Sequence, residues 1–227
     1  MKKILNAPWF PAAAPFLTYV TFTSLEGRFS KYFVLLYALK LIATVVVIGL
    51  TWKAARRQSR YFGETPRLQD FAIAVVVGIV LGFTWIPIDH FTPHFAFLGQ
   101  RSSYNPFAQI SSPILRALFF ALRFSGLVLV VPYVEELFYR SFLLRVVSHP
   151  EDWNRSMVGK FDTTALAVNI GFFALSHPEW LAAAVFAAVM CGLTRMSRGV
   201  VTPMVAHGVT NLVMGLVIVH TGNWGYW

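Results

Sequence analysis

Apolar residues run along this chain in long blocks separated by short polar segments, and a membrane-spanning helix needs ~20 mostly apolar residues. Residues 32–52 hold one charge, Lys40, and predict a span. Residues 71–88 hold none, are rich in Val, Ile and Gly, and predict the clearest span. No charge falls between Lys3 and Glu26, but Pro8, Pro11 and Pro15 interrupt that run, which predicts a broken or interfacial segment. Residues 113–147 include Arg116 and Arg123 yet are otherwise apolar up to Val134, and predict one long helix with a kink at Pro132. Two short apolar runs, 163–177 and 180–194, flank His177-Pro178-Glu179. From Gly199 to Trp227 no Lys, Arg, Asp or Glu occurs. The pattern predicts an all-α polytopic membrane helical bundle with about seven or eight transmembrane helices. Residues 1–227 read as a single integral-membrane domain without internal repeats.

Composition agrees with the pattern. Charged residues make up 13% of the chain, about half the share of an average soluble domain, and the mean hydropathy is +0.59. The chain carries too little charge to solvate a globular surface of its size. Its hydrophobicity excludes disorder, and the single cysteine, Cys191, excludes a disulfide scaffold. Cys191 itself reads as a small buried apolar residue.

The net charge of +9 raises the question of nucleic acid. The basic residues, however, sit beside apolar runs rather than on one amphipathic face. That placement follows the positive-inside rule and argues against nucleic acid. Residues 53–70 carry Lys53, Arg56, Arg57, Arg60 and Arg67 and read as cytoplasmic, with Lys2 and Lys3 on the same side. Residues 89–112, whose charges are Asp89 and Arg101, read as the opposite side. Residues 148–162 and the Arg195–Arg198 turn return to the cytoplasm, and Trp224, Tyr226 and Trp227 end at the far interface. The prolines and the lack of a small-residue cleavage site argue against a cleavable signal peptide.

Only ten carboxylates occur: Glu26, Glu64, Asp70, Asp89, Glu135, Glu136, Glu151, Asp152, Asp162 and Glu179. Ionisable groups inside spans are costly and mark function. Three places stand out. In Glu135-Glu136-Leu137-Phe138-Tyr139-Arg140, Glu136 and Arg140 share a helix face at i, i+4 and can pair. Glu135 is turned about 100° away, with no basic residue at i+3 or i+4. Arginine should hold Glu136 charged and leave Glu135 as the tunable carboxylate that a general base requires. The bland alternative is a pair of interfacial glutamates at a helix end. His177 lies beside an Xaa-Pro bond that can end the helix and free a carbonyl, and Phe173, one turn earlier, can pack on its ring. The alternative is an interfacial histidine at a turn. His207 and Asn211 share a face inside the uncharged C-terminal run and can donate hydrogen bonds to an oxyanion. The alternative is interhelical polar glue.

Together Glu135-Glu136-x-x-x-Arg140, Phe173-x-x-x-His177 and His207-x-x-x-Asn211 resemble the three-motif signature of the CAAX protease and bacteriocin-processing family. That family includes Rce1-type prenyl proteases and many bacterial Abi proteins. The resemblance covers residues 113–215, the expected catalytic core, and says nothing of the first hundred residues. It implies a membrane-embedded glutamic endopeptidase. Glu135 resembles the base that activates water, His177 its partner in holding that water, and His207 with Asn211 the oxyanion-stabilising pair. Glu136 and Arg140 match supporting positions of the first motif, and Phe173 supports His177. The resemblance implies a membrane-associated peptide or protein substrate, lipidated or not, with the lipid bilayer as the surroundings. No cofactor is expected. Glu135, His177 and His207 form in principle a His₂Glu zinc site, but His-Glu-x-x-His is absent and metal-free hydrolysis is favoured. The short compact chain suggests a bacterial inner membrane.

Other clusters carry less. Asp89, His90 and His94 read as an interfacial loop, since Pro93 prevents a regular helix. Asn154-Arg155-Ser156 is a formal glycosylation sequon on the cytoplasmic side, and His220 reads as solvent-facing. Arg116 and Arg123, seven apart on one face, either snorkel or line a cavity that admits a substrate carboxylate or lipid headgroups. Two other classes fit the chain: a non-catalytic scaffold or immunity protein of the same fold, and a proton-coupled transporter, which the absence of an inverted repeat disfavours. The spans also leave a conflict of depth, with Glu135 near the cytoplasmic end of its helix and His177 near the other side. Either the helix is shifted or the segment 163–194 enters only part way.

Overall fold

The computed structural model describes residues 7–57, 61–99 and 103–227. Lys2, Lys3, Arg60 and Arg101, which carry part of the predicted topology, lie outside the described residues. Among the described residues the chain is an all-α bundle of seven helices of 13 residues or more and the one-turn helix Pro106–Gln109, with no strand. The seven are α1 (Phe10–Arg28), α2 (Phe33–Arg57), α3 (Leu68–His90), α4 (Pro113–Ser148), α5 (Thr163–Leu175), α6 (Trp180–Ser197) and α7 (Val201–Thr221).

Five of them, α2, α3, α4, α6 and α7, are long and apolar enough to cross a membrane by length and composition. The sequence pattern suggests seven or eight spans, and α5 shows where the two counts part. Its 13 residues rise only ~20 Å at 1.5 Å per residue, short of a ~30 Å hydrocarbon core. The N-terminal prolines do not break α1, so of the broken or interfacial segment expected from sequence the first does not hold. Pro8 precedes the helix, and Pro11 stands in its first turn, where a backbone N–H has no intrahelical acceptor. Only Pro15 sits inside the helix.

α4 is one helix of 36 residues. The distortion expected at Pro132 takes the form of a π stretch, Gly126–Val130, which ends with the Val131 N–H donating to the Gly126 carbonyl. In that i→i−5 pattern the next donor would be residue 132 and the next acceptor Leu127, but proline has no N–H. A second π stretch covers Leu137–Leu143, just after the glutamate pair.

The segments expected on the cytoplasmic side gather at one end. Gly63 pairs with Gly199 across an isolated bridge. The Ser141 hydroxyl donates to the Tyr61 carbonyl at 2.6 Å. Arg145 is buried and donates to the carbonyl of Ser156 at 3.1 Å and to the Ser141 hydroxyl at 2.9 Å. Residues of the opposite side meet at the other end, where the Tyr226 hydroxyl donates to Asp89 at 2.7 Å and the Trp180 indole to the Pro93 carbonyl at 2.9 Å.

α3 and α7 pack at close range because Gly78 and Gly82 present no side chain there. A Cβ on Gly78 would stand 2.6 Å from the Ala206 carbonyl, and one on Gly82 2.6 Å from Val213 Cβ. Gly208 brings α7 equally close to the π stretch of α4, with the Val128 carbonyl 2.7 Å from where its Cβ would be. These contacts set the height of His207 against α4.

Candidate active site

The second carboxylate of the pair is the better buried. Glu136 and Arg140 are fully buried, and Arg140 Nε stands 3.2 Å from Glu136 Oε2, as the i, i+4 spacing predicts. The guanidinium makes no hydrogen bond to the described protein atoms. It lies over the rings of Phe173 at 4.9 Å and Tyr139 at 5.5 Å. Coulombic attraction and ring faces therefore hold it in place. The other oxygen of Glu136, Oε1, is 2.9 Å from His207 Nδ1. Glu135, on the adjacent face, keeps 14% of its side chain exposed, and its Oε2 stands 4.0 Å from His207 Nε2. His207 thus lies between the two carboxylates, one on each ring nitrogen. Its ring is fixed from the side by the edge of Phe186 at 4.7 Å.

The Pro178 signal acts as the sequence predicts. α5 ends at Leu175, and the Phe173 carbonyl accepts from His177 Nδ1 at 2.8 Å. The Phe173 ring stacks on the imidazole at 4.5 Å and 23°. A carbonyl only accepts, so Nδ1 carries the hydrogen, and Nε2 is the ring's lone-pair nitrogen in the neutral form. Asn169, a polar residue on α5 that motif reasoning passed over, is buried and donates to the Tyr139 carbonyl at 2.7 Å. It also accepts the Cys191 thiol at 3.3 Å. This ties α5 and α6 to the second π stretch of α4.

Asn211 has a role beyond the expected one. Its Nδ2 donates to the Leu127 carbonyl at 2.8 Å, the acceptor that Pro132 leaves without its backbone donor. One amide hydrogen is therefore spent on α4, and the second remains for the site.

A cavity of about 500 Å³ brings the motifs together: Glu135, Phe173, His177, His207 and Asn211 all line it. Glu136 and Arg140 stand behind it. The conflict of depth disappears. Ser141 is level with Tyr61, and Gly199 with Gly63, so Glu135 lies ~9 Å and His207 ~12 Å in from one loop layer at 1.5 Å per residue. The short α5 stops so that His177, just past its end, meets them. Trp85 and Tyr139 also line this part of the cavity; both are aromatic residues in apolar runs, where sequence offers no signal to separate them from core.

Of the residues set aside, Asp89 is buried and bonded to Tyr226 and His94, away from the cavity. Arg116 and Arg123 part company: Arg116 donates to the Ile110 carbonyl at 3.2 Å, whereas Arg123 lines the cavity. As for zinc, no three His, Cys, Asp or Glu side chains among the described residues stand as a group able to hold a metal. In both histidines Nδ1 is engaged, by Glu136 for His207 and by a carbonyl for His177, which leaves Nε2 as the nitrogen turned to the site.

Residues 114–213 match the model of the Rce1-like family of type II CAAX prenyl endopeptidases. No curated protein and no solved structure matches the chain.

Proposed function

We propose that this chain, which carries the pattern of the Rce1-like type II CAAX prenyl endopeptidases over residues 114–213, hydrolyses a peptide bond with a water activated by Glu135. At family level the protein is a membrane protease, a hydrolase acting on membrane-associated protein in a lipid bilayer. The observation that carries the finer reading is His207 held between Glu136 and Glu135 at the wall of a cavity that His177 also lines.

In this reading a water donates one hydrogen to Glu135 and the other to His177 Nε2, and turns its lone pair to the substrate carbonyl. As the water attacks, its proton passes to Glu135, a C–O bond forms, and the carbonyl becomes an oxyanion. His207, held through Nδ1 by Glu136, turns Nε2 to that oxyanion, with the second amide hydrogen of Asn211 beside it. The proton on Glu135 then passes to the leaving amine as the C–N bond breaks. Glu136 and Arg140 position His207 and do not touch substrate. No step needs a metal, and we take residues 113–215 as the catalytic core, closed by α1 and α2. The substrate is a membrane-associated peptide or protein, lipidated or not, and the location we assign is the bacterial inner membrane, which membrane fractionation tests.

The deciding experiment is proteolysis of a peptide library by purified protein in detergent, beside Glu135→Gln. Cleavage by the wild type and none by Glu135→Gln is expected. A fully active Glu135→Gln protein would overturn the mechanism, and a wild type that binds peptides without cutting them would favour the scaffold reading.

A further inference from the structure

One wall of the cavity comes from outside the residues that match the family. Trp85 stands on α3, ahead of the matched residues 114–213, and lines the cavity together with His177. Gly78, Gly82 and Trp85 follow at four and three residues, so they share the face of α3 that meets α7. The glycines that bring the two backbones together therefore also carry the indole to the site. Its ring stands near-perpendicular to the imidazole of His177 at 6.1 Å and to the ring of Phe186 at 5.8 Å. Phe186 is in turn the ring that holds His207.

The indole is 6% exposed, and its Nε1–H has no hydrogen-bond acceptor among the described residues. Buried tryptophan N–H groups usually find a partner, and a buried donor left without one is costly. A peptide in the cavity brings the complementary need. An extended chain presents a carbonyl every ~3.4 Å, and the rings of Trp85, Phe173 and Phe186, all lining the cavity, take away the water that would solvate it. A buried carbonyl then needs a donor. In the proposed mechanism His207 and Asn211 serve the carbonyl that is attacked. The next one or two carbonyls lie ~3.4–7 Å along the chain, the range of the distance from Trp85 to His177. An indole is neutral and only donates, which suits a main-chain carbonyl in a peptide of any sequence.

We propose that Trp85 is a substrate-binding residue whose indole N–H donates to a main-chain carbonyl of the bound peptide, about one or two residues from the bond that is cut. The first half of the chain thereby supplies a functional group to the core that carries the three motifs. This deepens the peptidase reading and rests on it only for the position of the cut.

Trp85→3-benzothienylalanine, introduced by stop-codon suppression, keeps the ring and replaces the N–H by sulfur. The probe is a mixture of fluorophore-labelled decapeptides, and two quantities are read. One is kcat/KM for cleavage by the isostere variant beside wild type. The other is the dissociation constant, by fluorescence anisotropy, with Glu135→Gln added to both proteins. Loss of the N–H should weaken each roughly 5–100-fold, the cost of a buried carbonyl left without a donor, with the melting temperature unchanged. The same replacement at exposed Trp9 should change neither. A merely structural Trp85 would tolerate the isostere, so unchanged cleavage and binding would overturn the proposal. On one cleaved peptide, esters in place of single amides locate the acceptor, because an ester carbonyl accepts more weakly. One position within two residues of the cut should slow wild type and leave the isostere variant unaffected. Equal penalties in both proteins at every position would count against the contact. The two readings fail separately. Isostere-sensitive binding without any wild-type cleavage keeps the Trp85 contact and sinks the peptidase. Cleavage that the isostere leaves unchanged does the reverse.

Discussion

His207 Nδ1 stands 2.9 Å from Glu136 Oε1, on the side of Glu136 opposite Arg140. A carboxylate already neutralised by arginine thus sets the orientation of a histidine whose other nitrogen faces Glu135. In the proposed mechanism the glutamate pair divides into a base at the cavity wall and a buried positioning group.

That division predicts different kinetic signatures. Glu135→Gln should cut kcat on the order of 10³-fold, the scale of a lost general base. Glu136→Gln should lower kcat roughly 10–100-fold with KM little changed, as for loss of a group that orients a functional histidine. Steady-state kinetics on one cleaved peptide distinguish them, and equal losses in kcat for both variants would contradict the assigned roles.

Arg140→Ala removes the permanent cation from buried Glu136 and leaves His207 as the carboxylate's remaining partner. Breaking a buried pair in this way costs about 3–5 kcal/mol, and removal of the cation from the rings of Phe173 and Tyr139 adds to it. Thermal unfolding in detergent should show Arg140→Ala well below wild type, whereas Arg155→Ala, whose partner Asp152 is exposed, should change stability by no more than about 1 kcal/mol.

Asn211→Ala removes both the proposed oxyanion donor and the donor to Leu127. It should lower kcat and destabilise the fold by about 1–3 kcal/mol, the cost of an unsatisfied buried carbonyl. Adding Pro132→Ala restores a backbone N–H within reach of that stretch of α4. The double variant should recover stability and not activity. Recovery of both would mean that Asn211 serves α4 alone.

Gly208→Val places a branched side chain against the Val128 carbonyl. Overpacking of this kind costs about 1–3 kcal/mol and lifts His207 away from the pair. Activity should be lost more completely than the melting temperature falls, with Gly208→Ala between Val and wild type.

EDTA or 1,10-phenanthroline should leave the rate unchanged, and added zinc should not raise it. A chelator-sensitive rate restored by zinc would mean that Glu135, His177 and His207 rearrange into a ligand set.

Helical periodicity, the cost of charge in apolar runs and the effect of Pro178 determine much from residues alone. The all-α membrane bundle, the Glu136–Arg140 pairing, the stacking of Phe173 on His177 and the common face of His207 and Asn211 all follow from relations within one helix or across one helix end. These are local, so spacing of three or four residues is enough to state them. Relations between helices are not local. That Glu136 orients His207, that Asn211 replaces the donor missing at Pro132, and that α5 stops at the level of Glu135 depend on Gly78, Gly82 and Gly208 letting backbones approach. They depend equally on loops that align Tyr61 with Ser141. The phase of α4 is the sharpest case. Sequence spacing alone turns Arg123 ~120° from Glu135, and a π stretch that no periodicity announces brings both to one cavity. The tertiary structure decides such matters because an extra residue in one turn rotates everything beyond it, while the apolar pattern that drives insertion tolerates the change.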